Sequence, residues 1–377
     1  MSAEDRNPWI DSPIKTVRDA RSMSRLIFVQ PIIASYREQL LRHLSTRFDL
    51  ILAYDTGEPT AGFSSASIER STTIHAPILR VASGRLSYQR NIVSRPKRGD
   101  RVIVFADPRF VSYWLLLIAS RLRGFRVFSH GQGGYSHPRP SYFRRLMYRA
   151  MTTLSHRYIC YNEHVKAGML DMGCPERKLR SAENSIAVQE LVCPDERDYV
   201  APGILFIGRL RHGCGLDKLI ESVERLRQEG LSITLEVIGS GDLLDHYKST
   251  YGRFAHITFY GATFSDDEIA KVSLKCRIGC YPGDAGLSVV HFFALSLPAV
   301  VHSSIECHMG PEPSYVREGY NGYLFSRESA GSLTDVIRSV WATDSAELLA
   351  TGERAFRTYE NLNSPPLGVR FERILLE

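Results

Sequence analysis

Along the chain, short uninterrupted apolar runs alternate with longer stretches in which apolar residues return every three or four positions. In the first half, Leu26–Val29, Leu50–Tyr54, Val102–Phe105, Arg126–Phe128 and Tyr158–Tyr161 predict strands, and Tyr36–Thr46, Phe110–Arg123, Ser141–Thr153 and Glu163–Met172 predict helices. Strands buried on both faces read as continuous apolar runs, and such runs spaced by helices build βα units on a parallel sheet. Residues 186–202 break the pattern with charges, Pro194, Pro202 and no apolar period, and read as a linker. The theme then returns, with strands at Ile204–Ile207, Thr234–Ile238, Ile257–Tyr260, Ile278–Tyr281 and Ala299–His302, and helices at Leu216–Glu229, Asp242–Tyr251, Asp266–Leu274, Ser288–Leu295 and Ser332–Thr343. The expected organisation is a polar tail over 1–23, an α/β domain over 24–185, the linker over 186–202, a second α/β domain over 203–345, and C-terminal helices over 346–377 that cross back to the first domain. Open parallel sheets bind ligands beyond the carboxyl ends of their strands, so two of them face to face make a cleft.

A length of 377 residues suits two domains, and 44% hydrophobic residues supply two cores. The net charge of +6 is unevenly spread. Twelve basic residues lie between Arg95 and Arg149 against Asp100 and Asp107 alone, which fits an anionic partner: a nucleotide, a lipid phosphate or a membrane surface. Seven cysteines without a CxxC pair suggest neither a disulfide framework nor a zinc site. The polar start lacks the apolar core of a signal peptide, and the longest apolar run, from Trp114 to Ser120, is too short to span a bilayer. A cytoplasmic protein, peripheral on the inner face of the membrane at most, is the expectation. Phe143, Leu146, Met147, Ala150 and Met151 share one helical stripe flanked by arginines, which reads either as core packing or as a surface for anionic lipid.

Five segments carry candidate chemistry. Phe206-Ile207-Gly208-Arg209-Leu210 is an apolar strand ending in Gly-Arg. It puts Arg209 on the cleft rim, where a guanidinium holds a diphosphate by paired hydrogen bonds or is simply solvated. Tyr281-Pro282-Gly283-Asp284-Ala285-Gly286-Leu287-Ser288 runs from a strand through a Gly-rich turn into a helix. The amides near Gly286, Leu287 and Ser288 can cradle phosphate with the helix dipole, or the glycines only serve a tight turn. Val237-Ile238-Gly239-Ser240-Gly241-Asp242 lacks the third glycine of a dinucleotide fingerprint and reads as a loop beside the nucleotide. Phe128-Ser129-His130-Gly131 puts a histidine at a strand end facing the second domain, or else a core histidine bonded to backbone. His137, in a proline-flanked loop, is a weaker candidate. The last segment is the arginine-flanked stripe. There is no D-x-D pair to hold a nucleotide through a divalent ion, and no P-loop, G-x-S-x-G elbow or H-E-x-x-H helix.

In order, these segments resemble family 4 glycosyltransferases of the GT-B fold, in which two Rossmann-like doubly wound domains face a central cleft. The likeness runs from about Arg25 to Gly322. It rests on Gly208-Arg209-Leu210, on Val237 to Gly241, and on Phe259-Tyr260-Gly261. It continues in Gly286-Leu287-Ser288 through Ala294 and Pro298, with Ala299 where the motif has Val, in Glu318-Gly319-Tyr320-Asn321-Gly322-Tyr323-Leu324-Phe325, and in His130-Gly131 on the acceptor side. A "P-G-x-x-G-L-S/T-x-x-H" form is similar to a bacterial polysaccharide branch. Departures are Cys214 where the family commonly has lysine, and Gly283 and His291 where it has a glutamate pair.

The resemblance implies a retaining, metal-independent transfer of sugar from a nucleotide donor, UDP- or GDP-linked, to a lipid-linked or growing surface glycan. No separate cofactor and no nucleic acid are expected. Arg209, with Arg211, would hold the diphosphate, and Gly283, Asp284 and the amides of Gly286, Leu287 and Ser288 would complete the cradle. Gly239, Gly241, Tyr260 and Gly261 would border the base, His291 would take the ribose hydroxyls, and His130 would orient the sugar or the incoming hydroxyl. The rival readings are a nucleotide-sugar epimerase and a non-catalytic binding module, the latter favoured by Cys214 and Gly283.

Overall fold

The computed structural model describes residues 23–57, 68–81, 83–137, 139–263 and 265–377; most of the expected polar tail lies outside them. The first half forms β1 (Arg25–Val29), β2 (Asp49–Tyr54), β3 (Ser71–His75), a hairpin of β4 (Ile78–Val81) and β5 (Leu86–Gln89), β6 (Arg101–Phe105), β7 (Arg126–Gly131), β8 (Arg157–Cys160) and β9 (Leu179–Ser181). Apart from the hairpin, these strands make one parallel sheet in the order β3-β2-β1-β6-β7-β8-β9. The second half supplies β10 (Gly203–Ile207), β11 (Thr234–Ile238), β12 (Ile257–Gly261), β13 (Cys276–Cys280), β14 (Ala299–His302) and β15 (Gly322–Phe325), a second parallel sheet in the order β12-β11-β10-β13-β14-β15. In both, chain order reverses beside the first strand, β1 or β10, which is where such sheets bind ligands.

Helices cover the sheets. In the first half these are α1 (Glu38–Arg47), α2 (Val111–Arg123), α3 (Tyr142–Leu154) and α4 (Glu163–Asp171). In the second half α5 (Leu216–Gln228), α6 (Leu244–Tyr251), α7 (Asp266–Ser273), α8 (Ser288–Ala294), α9 (Ser332–Ala342), α10 (Ser345–Asn363) and α11 (Leu367–Leu376) follow. Their ends carry the expected signals: Asn162 Oδ1 accepts from the Val165 amide at 3.0 Å at the start of α4, and Gly124 closes α2 in the left-handed region at φ +72°.

The first sheet has apolar layers on both faces. Tyr113, Leu116, Met151 and Met169 pack on one, and Leu40, Leu41 and Leu44 of α1 on the other. Phe371, Ile374 and Leu375 of α11 complete that second layer, so the last helix belongs to the core of the first sheet. Its position is fixed by Glu372, which accepts from Arg47 Nε and meets His43 Nε2, both at 2.7 Å, and by Glu377, which binds Arg157 and Arg180. The segment over 186–202 is packed rather than loose: the buried Arg197 guanidinium donates to the carbonyls of Ser273, Cys276 and Leu295.

Hydrogen bonds between strand-end loops join the two halves. Gln132, after β7, donates to the Met309 carbonyl, after β14, at 3.2 Å, and Tyr135 Oη donates to the His308 carbonyl at 2.5 Å. The carboxyl ends of the two sheets therefore face each other.

Candidate functional site

The loops after β10, β11 and β13 are wedged together by glycines. A Cβ on Gly239 would collide with the Gly208 carbonyl and one on Gly241 with the Leu210 carbonyl, and both glycines sit near φ +150°, at +145° and +149°. The Gly-x-Gly pair thus lets two loops touch, in keeping with its reading as a loop and not a dinucleotide fingerprint. The Leu210 amide donates to the Ser240 carbonyl at 2.9 Å and closes the contact. On the other side, the Gly283 and Asp284 amides donate to the carbonyls of Cys214 and Gly213 at 3.1 and 2.9 Å. A Cβ on Gly283 would strike Gly213 and Cys214, so this loop has no room for a glutamate there. Cys214 turns inward, fully buried, with Sγ 3.7 Å from Tyr247 Oη.

The half-buried Arg209 follows this wedge, its Nη2 3.9 Å from Asp242 Oδ1. Arg211 is drawn back onto backbone, donating to the His212 and Asp284 carbonyls at 2.8 and 3.3 Å. Asp284 accepts from Arg327 Nη1 at 2.7 Å. Gly286 and Leu287 lead into α8, which begins at Ser288; the first amides of a helix have no partner within it. Gly261, at the end of β12, has φ +79° and open space where a Cβ would stand.

Two expected site residues, His130 and Tyr260, sit differently from the expectation. Residue 130 lies within β7, which runs to Gly131, three residues past the predicted end at Phe128, and side chains alternate along a strand. His130 therefore shares the face of Phe128, fully buried, stacked on Tyr161 at 4.6 Å and edge-on to Phe371 at 5.0 Å. It does not face the second domain, nor is it bonded to backbone: neither ring nitrogen has a hydrogen-bond partner among the described residues. Burial, aided by nearby Arg37, holds its pKa well below 6.5. Tyr260 also turns from the cleft, donating to Glu236 Oε2 at 2.7 Å while Lys275 Nζ donates to its oxygen at 3.2 Å. His291 is half-buried on α8, with Asp266 of α7 its acidic neighbour and Nε2 buried without a partner among the described residues; burial lowers its pKa to about 4. His137 lies on an exposed loop, bonded to Ser136 at 2.9 Å.

Beneath the β13 loop lies a polar network with no sequence motif to announce it. The Ala285 amide donates to His308 Nδ1 at 3.1 Å, so the His308 proton sits on Nε2, which donates to the His302 carbonyl at 2.9 Å. The rings of His302 and His308 stack at 3.6 Å and 8°. Burial and its cationic neighbours push the His302 pKa down to about 3. Arg327 links Asp284 to His302 Nε2, at 3.5 Å. Glu312, buried, accepts from Asn184 Nδ2 at 2.5 Å and lies under Gly286; burial raises its pKa. Only the clustering of His302 and His308 on either side of a predicted strand end hinted at this network. Among the described residues, no group of three or more His, Cys, Asp or Glu side chains is arranged to hold a metal ion.

Residues 201–343 match the family model described as glycosyl transferases group 1. Over nearly its whole length the chain also resembles HepE from Anabaena, solved in complex with UDP and glucose: 13% identity, TM-score 0.64, covering 94% of this chain and 100% of that one. The chain has the GT-B fold, and its residues 201–343 form a glycosyl transferases group 1 domain. The same fold appears in the lipopolysaccharide outer core galactosyltransferase WaaB, at 14% identity and TM-score 0.60 over 90% of this chain and 99% of that one. A glycosyltransferase from Rickettsia africae matches at 13% identity and TM-score 0.64, over 94% of this chain and 98% of the other. No curated protein matches this chain by sequence.

Proposed function

We propose that this chain is a retaining, metal-independent glycosyltransferase of family 4 that moves a sugar from a UDP- or GDP-linked donor to a lipid-linked or growing surface-glycan acceptor, working at the inner face of a membrane. The observation that carries this reading is the convergence of Arg209, the wedged glycine loops and the start of α8 at the switch point of the second sheet. When a nucleotide diphosphate leaves, negative charge builds on its phosphates as the sugar gains oxocarbenium character. Groups fixed before the reaction stabilise that charge without reorganising. The Arg209 guanidinium supplies a planar double donor, the amides of Gly286, Leu287 and Ser288 the remaining donors. Gly283 belongs to the wall of the cradle, and Asp284, held by Arg327, fixes its shape; Arg211 acts on the loop backbone. His291 faces the side of α8 nearest α7, where an imidazole can accept from a ribose hydroxyl; Gly261 leaves open space for the base, and Gly239 and Gly241 let the bordering loops close together. The structural neighbour solved with UDP supports a UDP donor.

Tyr260 and His130 do not enter this scheme as direct contacts. His130 acts from beneath, packed between Tyr161 and Phe371 under the end of β7. Cys214 and Gly283, which favoured a binding module, both have packing reasons in the loop wedge. The test is Arg209→Ala. Removing a charged hydrogen-bond partner costs about 1.5–3 kcal/mol, so kcat/KM for the donor should fall roughly ten- to hundredfold. An unchanged kcat/KM would make Arg209 an ordinary rim residue and overturn the assignment.

A further inference from the structure

Helices α2 and α3 are successive crossovers on one face of the first sheet and lie side by side in one layer. The stripe expected along α3 divides: Met151 is buried in the core and Met147 half-buried, whereas Phe143 and Leu146 point to solvent. Tyr142 joins them, and Tyr142 and Phe143 are 81% and 74% exposed, values that core packing does not explain. On α2, Leu115, Ile118 and Leu122 recur at helical spacing on the outer face, Leu122 being 82% exposed. Arg121 ties the two helices by donating to the Thr153 and Leu154 carbonyls at the end of α3. Neither helix contains a carboxylate, and Arg123, Arg139, Arg144, Arg145 and Arg149 stand in or beside them.

We infer that the outer layer formed by α2 and α3 is a docking face for an anionic lipid bilayer, with aromatic and aliphatic side chains entering the headgroup boundary and arginines meeting lipid phosphates. This rests on the membrane part of the proposed function and gives it a surface. Apolar residues alone would suit a protein partner; the absence of acidic residues and the dense arginines select a negatively charged sheet of lipid. Orientation follows from topology. The first turn of α3 lies on the rim where the strand ends face the second domain. There a cavity of about 560 Å³ opens between the halves, lined by Tyr135, Pro140, Arg145 and His164 on one side and Ser303 and Glu306 on the other. With the helix layer on the bilayer, the mouth of this cavity lies at lipid headgroup depth, beside the loop that bonds Ala285 through His308. An acceptor anchored in the membrane would thus reach the transfer site without leaving it. No helix among the described residues is long and apolar enough to cross a membrane, so attachment is to the surface.

The experiment is cosedimentation of the full chain with phosphatidylglycerol-containing and pure phosphatidylcholine vesicles, with UDP binding measured on the same preparations. Wild type should bind the anionic vesicles, and binding should fall as ionic strength rises from about 0.1 M to about 1 M, where the Debye length shrinks from about 10 Å to about 3 Å. Leu122→Asp with Phe143→Asp should cut vesicle binding about tenfold or more, and Arg139→Gln with Arg149→Gln should weaken it, with melting temperature and UDP affinity unchanged. Equal binding to both vesicle types, no binding, or a concentration-dependent dimer that the Asp variants abolish would overturn the proposal, the last by making this face a contact between copies. Because UDP binding is read separately, loss of the surface and loss of the donor site are distinguishable.

Discussion

At the level of single residues, the site is governed by which side chains are denied water. His302 and His291 are pushed by burial to about 3 and 4, His156, just before β8 and away from the site, to about 4, and His308 and His130 are also lowered. Each is neutral in the folded chain and gains a proton on unfolding near 6.5, the ordinary value. The unfolded state therefore binds more protons as acidity rises, so their contribution is fully present above pH 6.5 and is lost as pH falls towards the folded values. The melting temperature should be flat above neutrality and begin to fall below pH 6.5, before the carboxylates near 4.5 respond. Glu372 and Glu377, held below 4.5 by their hydrogen bonds to His43, Arg47, Arg180 and Arg157, release only later. Calorimetric scans across a pH series check this, and a melting temperature that rises between pH 6.5 and 4.5 would contradict it. What a residue does was the least legible part of the sequence. Arg209 could be placed because it follows an apolar run whose end is sharp. His130 could not, because the strand continues to Gly131 through Ser129 and His130, which do not look like strand residues. Tyr260 failed for a related reason: its motif fixes the backbone of β12, while Glu236 and Lys275, far off in sequence, decide where the ring goes.

At the level of elements, the chain was easier to read where strands are buried on both faces. β1, β6, β10 and β14 appear as apolar runs because helices cover both sides. β3 is Ser71-Thr72-Thr73-Ile74-His75, with two exposed threonines, and has no such signal at its place on the sheet edge. β9, at the other edge of that sheet, is only three residues long, Leu179-Arg180-Ser181, too short for a period to show. The glycine loops carried their own explanation, since only a residue without a Cβ lets β10, β11 and β13 end so close together. α11 is the clearest case of an element whose partner is distant in sequence. Phe371 is fully buried against the first sheet although it follows the second. Phe371→Ala should destabilise the protein by about 3–5 kcal/mol, as expected for emptying a buried aromatic site. Urea titration measures the loss; UDP affinity per folded molecule should hold, because the donor loops belong to the other sheet. A change below about 0.5 kcal/mol, the scale of surface substitutions, would mean that α11 is not part of that core.

At the level of the whole molecule, two sheets built alike present their strand ends to one another. The loops between them bring together a guanidinium, helix-start amides and a network of neutral histidines. The fold class followed from alternating periods, and the order of the glycine and arginine motifs pointed to glycosyl transfer; no motif marks the surfaces to which the acceptor is assigned. In the proposed mechanism fixed cations and amides, rather than a divalent ion, carry the charge of the departing nucleotide. The rate of radiolabelled sugar transfer from the donor in excess EDTA decides this. Transfer should proceed in the chelator at the rate seen without it. Activity abolished by EDTA and restored by manganese would show that a divalent ion carries the charge instead.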